Sequence, residues 1–232
     1  MSNEAGRALV TGASSGIGLA TARHLLAAGW QVLGWDIAPP VIEDAAFTSA
    51  TLDLADTRAI AAALDGAGPL QAVVHAAGIL RPAILGHLNL AHGEAMWRVH
   101  VQAATQIADR LLPAMAAAKR GRMVLIASRV ARGVGGRSQY AASKAALISL
   151  ARSWAAEVIP SGVTVNVVSP AATDTAMLSD PARQGTTPRL PPIGRLIRPE
   201  EIASLVGYLL SPAADAITGQ DIQVCGGTSV LP

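Results

Sequence analysis

A chain of 232 residues, 51% hydrophobic and 15% charged, has material for one large α/β core and too little for two independent domains. Its net charge of +2, aromatic content of 3% and scattered basic residues, clustered only at Lys119, Arg120, Arg122 and at Arg129, Arg132, Arg137, argue against a nucleic-acid partner. That function needs a concentrated positive face with stacking platforms. The single cysteine, Cys225, excludes an intramolecular disulfide and CxxC-type zinc patterns. Residues 1–7 lack the apolar run of a signal peptide, and no window reaches the ~18 apolar residues of a membrane span. We therefore expect a soluble cytoplasmic protein with no metal and no membrane partner.

In chain order, hydrophobic periodicity predicts a strand at 7–11, a helix at 16–28, a strand at 31–35, a further strand ahead of Asp53 and a helix at 57–64. A strand at 72–75, a helix at 93–118, a strand at 122–127 and a helix at 138–158 follow. The last elements are a strand at 163–168, a helix at 199–210 and a strand at 221–224. Such alternation implies right-handed crossovers and a doubly wound parallel sheet with helices on both faces, one domain over 1–232. Ligands of such sheets sit outside the carboxyl ends of the strands. The proline-rich stretch 171–199 follows a strand end and is expected to be a substrate-covering lid, with a short helix near 176–179.

The first strand runs into Thr11-Gly12-Ala13-Ser14-Ser15-Gly16-Ile17-Gly18 and then directly into a helix. Glycines there allow positive φ and close backbone approach to a pyrophosphate, whose charge the helix N-terminus meets. The GxxxGxG spacing is a variant of the dinucleotide fingerprint. Asp36 ends the second strand 18 residues after Gly18, where a carboxylate accepts hydrogen bonds from the adenosine ribose and repels a 2′-phosphate. No Arg or Lys adjoins Asp36 or Ser14, so NAD is expected in preference to NADP. Asp53 and Leu54 follow the next strand, placed to meet the adenine, although an Asp there also reads as a helix cap.

Tyr140 and Lys144 are four residues apart in a helix and share one face. A neighbouring ammonium favours the ionised phenol, whose ordinary pKa is about 10, and fits Tyr140 for proton transfer to or from a carbonyl or alcohol. Ser128, at the preceding strand end, is placed to bind the same oxygen while a cofactor carries the hydride.

TGxxxGxG, Ala76-Ala77-Gly78 after the fourth strand, Ser128, Tyr140-Ala141-Ala142-Ser143-Lys144 and Asn166-Val167-Val168-Ser169-Pro170 together resemble the short-chain dehydrogenase/reductase family over nearly the whole chain. The resemblance implies a Rossmann domain with a seven-stranded sheet in the order 3-2-1-4-5-6-7. It makes Tyr140 the catalytic acid/base, gives Lys144 a second role on the nicotinamide ribose and has Ser128 orient the substrate. It places Ser14, Ser15, Ile17, Ala76, Ala77 and Gly78 on the adenosine and pyrophosphate side, and Pro170, Ala171, Thr173 and Thr175 beside the nicotinamide. Homotetramers or homodimers, built on the long helices and the C-terminal segment, are implied as well.

The chain departs from the family pattern in three places. His75-Ala76 stands where Asn-Asn is usual, Pro170-Ala171 where Pro-Gly is usual, and His100 where a helix asparagine completes the catalytic set. His100 lies on an apolar stripe with Met96, Ala103 and Ile107, which suits a core histidine, yet an imidazole at that position is also suited to relay protons from Lys144. It is carried forward as a catalytic candidate.

Segments 76–81, 167–175 and 198–203 resemble family members that oxidise cyclic dihydrodiol acids. A small, cyclic, carboxylated alcohol or ketone is therefore the expected substrate, with Arg81, Arg129 and Arg137 as candidate carboxylate partners. Two other readings stay open: reduction of a 3-oxoacyl thioester, and a nucleotide-binding scaffold without chemistry.

Overall fold

The computed structural model describes residues 6–179 and 190–230. Seven strands, β1 (Arg7–Thr11), β2 (Gln31–Asp36), β3 (Phe47–Thr51), β4 (Ala72–His75), β5 (Gly121–Ile126), β6 (Val163–Pro170) and β7 (Asp221–Val224), form one sheet in the order β3-β2-β1-β4-β5-β6-β7. Every pairing is parallel. From β1 the chain winds outward to β2 and β3, and from β4 it winds the other way. The crevice at this reversal opens beyond Thr11 and His75, which are paired across the two strands.

Because side chains alternate across a strand, each central strand feeds two cores. Leu9, Val73, Met123, Leu125, Val163, Val165 and Val167 pack under α2 (Thr57–Gly66), α4 (Ala103–Ala117) and α5 (Ser138–Val158). Their neighbours Ala8, Val10, Val74, Val124, Ile126 and Val168 pack under α1 (Gly16–Ala27) and α6 (Pro199–Leu210). Trp35 is the one fully buried aromatic side chain of the two cores among the described residues, with Trp30, Phe47 and Trp154 packed partly buried at their edges. Small residues allow close packing, as at Gly34, where an added Cβ would meet the Phe47 ring at 2.5 Å.

Two expected elements change shape. The helix expected at 93–118 begins as α3 (Leu90–Trp97), because the Asn89 side chain caps it by accepting the His92 N–H at 3.1 Å. It then widens into a π turn over Arg98–Gln102, closed by Ala103 N–H donating to the Arg98 carbonyl, before continuing as α4. Strand β6 runs on through Ser169 and Pro170 because β7 pairs alongside its end, Pro170 opposite Val224. Asn166 ties this edge: its amide donates to the Ile217 carbonyl at 2.7 Å, and its Oδ1 accepts the Gln220 N–H at 3.1 Å.

The segment beyond β6 contains the expected short helix, a 3-10 turn at Ala176–Ser179. Its two ends are clamped together: Ile197 N–H donates to the Ala172 carbonyl at 3.0 Å and Asp174 N–H to the Ile197 carbonyl at 2.9 Å. The entry to α6 is pinned by Glu201, which receives both Arg195 nitrogens and the Arg198 amide. These bonds hold the Glu201 carboxyl down at about 2. The middle of the expected lid, 180–189, lies outside the described residues. Among the described residues no helix is long and apolar enough to cross a membrane.

Candidate active site

A cleft of about 770 Å³ opens over the carboxyl ends of the strands, within the range of small-molecule and cofactor sites. Its floor at one end is the turn from β1 into α1. Gly12 and Gly16 adopt φ of +72° and +52°, the left-handed region that side chains disfavour. Gly18 lies where a Cβ would fall 2.1 Å from the Gly12 carbonyl oxygen, so only glycine lets α1 approach the turn this closely. Gly12, Ser15, Gly16, Ile17 and Gly18 line the cleft, and the first turn of α1 has no acidic residue to neutralise its positive end. Glycines open to the cleft over a helix N-terminus fit a dinucleotide pyrophosphate.

Asp36, Asp53 and Leu54 also line this end. Asp36 is steadied by two amides, Ser14 N–H at 2.9 Å on one oxygen and Ala38 N–H at 2.9 Å on the other. Ser14 itself does not line the cleft, and its hydroxyl donates to the Ala38 carbonyl at 3.2 Å. Asp53 is not the cap of α2. Asp56 fills that position, accepting from Arg58 and Ala59, which leaves Asp53 on the cleft wall. Ile37, Ala38 and Leu52 complete this wall. Isolated apolar positions at strand ends carry no motif, and the sequence reading missed all three.

At the other end stand Ser128, Tyr140 and Lys144. Ser128 follows β5 and caps a 3-10 turn, Arg129–Arg132, its Oγ accepting the Val130 N–H at 3.2 Å. Tyr140 and Lys144 lie one turn apart on α5, with the Lys144 Nζ 5.8 Å from the centre of the Tyr140 ring. Both are buried, and Nζ donates to the Ile126 carbonyl at 2.9 Å. Burial pulls the Lys144 ammonium down to about 7, within reach of proton exchange at neutral pH. Ala76, Ala77 and Gly78 form the wall between the two ends; Pro170, Ala171, Thr173 and Thr175 form the rim beside β6.

Of the three candidate arginines, two reach the cleft. Arg129 and Arg137 line it, partly buried, and neither makes a side-chain hydrogen bond or ion pair among the described residues. Arg81 does not line the cleft, and its guanidinium donates to the Leu80 carbonyl at 3.1 Å.

His100 is fully buried at the π turn, and the expectation that it relays protons meets a geometric obstacle. Its Nε2 lies 3.0 Å from the Ile79 N–H and its Nδ1 2.9 Å from the Ser143 hydroxyl, so neither ring nitrogen is free. Its carbonyl is also taken, by Nε2 of His75 at 3.1 Å. Burial, and then the nearby Lys144 charge, hold His75 down to about 3 and push His100 the same way. The sequence reading noted His75 only as a departure from a pattern and did not single out Ser143. No local signal joins positions 25 and 43 residues from His100. Among the described residues no group of three or more His, Cys, Asp or Glu is arranged to hold a metal.

The architecture and cleft define a class of nucleotide-dependent oxidoreductase, and comparison with known proteins agrees. Residues 12–229 match the family model described as Enoyl-(Acyl carrier protein) reductase. The chain is 38% identical to 2,3-dihydro-2,3-dihydroxybenzoate dehydrogenase of Escherichia coli strain K12, over 95% of this chain and 96% of that one. It is 36% identical to the 3-oxoacyl-[acyl-carrier-protein] reductase of the same organism, over the same shares. A solved short chain dehydrogenase/reductase family protein superposes with a TM-score of 0.88 at 33% identity, each chain covered over 100% of its length. The chain belongs to the short-chain dehydrogenase/reductase family, oxidoreductases of alcohol and keto groups that use nicotinamide cofactors.

Proposed function

We propose that this chain is an NAD(H)-dependent dehydrogenase that interconverts a secondary alcohol and a ketone on a small, cyclic, carboxylated substrate. The observation that carries the reading is the meeting of Ser128, Tyr140 and Lys144 in one cleft with the glycine turn and Asp36. In the oxidative direction the Tyr140 oxygen takes the hydroxyl proton, and Ser128 Oγ holds the oxygen that loses it. Lys144 sits with its charge against the Tyr140 ring and favours the phenolate, and the Ile126 carbonyl keeps its head in place. The nicotinamide, when bound, supplies the hydride acceptor. In the reductive direction Tyr140 returns the proton.

Support for NAD over NADP comes from the distribution of charge. Asp36 shares its wall with Ile37, Ala38, Leu52 and Leu54, and among the described residues the cations lining the cleft are Arg129, Arg137 and Lys144. A 2′-phosphate at Asp36 would face a carboxylate, and no Arg or Lys stands beside Asp36 in the sequence. Support for an acidic substrate comes from the same three cations. Arg137 is the N-cap residue of the 21-residue helix α5, where a positive charge opposes the helix dipole unless an anion sits beside it. The Escherichia coli relative at 38% identity is named for a carboxylated cyclic diol. Support for a homodimer or homotetramer comes from apolar side chains left exposed at and just before α3, Leu85, Leu90 and Trp97.

A second reading, reduction of a 3-oxoacyl thioester, is favoured by the 36% identical reductase. Turnover of a panel of cyclic diols and hydroxy acids with NAD⁺, set against a 3-oxoacyl thioester with NADH and NADPH, separates the two. We expect a cyclic hydroxy acid to be oxidised with NAD⁺ and Tyr140→Phe to lose about a thousandfold in rate. Preference for NADPH and the thioester would replace this reading with the second. Tight NADH binding without turnover would make the chain a scaffold.

A further inference from the structure

We infer that His100 is a positioning residue: a hydrogen-bonded chain Thr11–His75–His100–Ser143 ties the glycine turn and the Ala76–Gly78 wall to the turn of α5 that carries Tyr140. The inference rests on the dehydrogenase reading above and adds a residue to it.

The chain is closed by counting hydrogens. Thr11 Oγ1 accepts the amides of Ala76 and Ala77, both at 3.1 Å, so its one hydrogen goes to His75 Nδ1 at 3.0 Å. His75 must then carry its proton on Nε2, which donates to the His100 carbonyl. At His100 the order reverses. The Ile79 amide donates to Nε2, so the ring proton sits on Nδ1 and passes to Ser143 Oγ, whose own hydrogen goes to the Tyr140 carbonyl at 2.8 Å. Each donor in the chain has one acceptor, and each imidazole is held in a single neutral tautomer.

Three further observations give this arrangement a purpose. The His100 ring meets the Tyr140 ring edge-on, centres 5.6 Å apart at 85°. Gly78 is packed between the two functions: a Cβ there would lie 3.1 Å from His100 Nε2 and 3.4 Å from Lys144 Nζ. The π turn offers the His100 carbonyl to His75, so two departures from the family pattern at distant positions turn out to be in contact. A residue that relays protons must take one up at one atom and release it at another. His100 has both nitrogens committed, and charging it would break the bond from Ile79, so its contribution is geometric.

The two ring nitrogens serve different parts of the cleft, and two substitutions separate them. In His100→Asn an amide donor near the Nδ1 position still reaches Ser143, while the acceptor for Ile79 is lost. In His100→Gln an acceptor near Nε2 still serves Ile79, while the donor to Ser143 is lost. We expect His100→Asn to weaken NADH binding about tenfold, read by fluorescence without substrate, with the pH profile of kcat unmoved. We expect His100→Gln to bind NADH within about twofold of the original chain, but to lose about tenfold in kcat with a displaced pH profile. Ser143→Ala, which leaves the ring in place, should reproduce the His100→Gln result and serves where that variant fails to fold. Equal behaviour of the Asn and Gln variants, or restoration of kcat by added imidazole, overturns the inference in favour of packing or of proton relay. Failure of the unsubstituted chain to bind NADH or NADPH would instead remove the dehydrogenase reading itself.

Discussion

Arg129 and Arg137 flank the reacting groups from both sides, one immediately after Ser128 and the other three residues ahead of Tyr140. Partly buried guanidiniums with no partner among the described residues are costly to keep unless a ligand completes them. Replacing either by alanine should raise KM for a cyclic hydroxy acid about tenfold or more, with KM for the corresponding amide within about threefold. Equal effects on acid and amide would remove the carboxylate assignment. At this scale the YxxxK spacing was legible because four residues on a helix share a face regardless of what surrounds it. The fate of Arg81 was not, since a loop guanidinium chooses among partners that only the folded chain supplies.

The turn from β1 into α1 is the element whose sequence and structure agree most closely. Three glycines there perform separate tasks, two adopting left-handed backbone and the third removing a side chain from a helix-to-loop contact. Gly18→Ala should therefore weaken NADH binding at least tenfold and cost about 1–3 kcal/mol of stability, since its Cβ meets backbone that cannot rotate away. Titration calorimetry and urea unfolding would check both, and an unchanged affinity would detach this turn from cofactor binding. The π turn was invisible by contrast. An extra residue slips an amphipathic pattern by about 100°, which a helix rich in alanine, such as 103–117, does little to reveal, and the bond that uses it comes from His75 on another element.

The molecule as a whole buries three groups that prefer to be neutral there, and its stability should record them. His75 and His100, facing Lys144 and each other, titrate well below the ordinary value of 6.5, His75 at about 3, so on acidification below pH 6.5 the unfolded chain binds more protons than the folded one. Stability should fall on acidification through that window, by up to about 1.4 kcal/mol per pH unit for each histidine. Lys144 behaves alike at higher pH: between about 7 and 10.5 the unfolded chain keeps a proton the folded chain has released, so stability should rise with pH across that range. Urea midpoints measured from about pH 4 to 10 should show both slopes. His75→Asn and His100→Asn should flatten the acidic one, and Lys144→Met the alkaline one. A flat profile for the unsubstituted chain would mean that these groups are hydrated in solution.

By itself the order of amino acids determined the alternation of strands and helices, the glycine turn, Asp36 at a strand end and the face shared by Tyr140 and Lys144. These depend on backbone conformation and short-range spacing, which a chain carries wherever it folds. Family likeness supplied the sheet order. Tertiary structure alone decided that Asp56 caps α2 while Asp53 lines the cleft, that Arg129 and Arg137 reach it while Arg81 does not, and that two histidines join into one chain. Each of those outcomes is a choice among competing hydrogen-bond and burial partners far apart along the chain, and only packing brings the competitors within reach of one another.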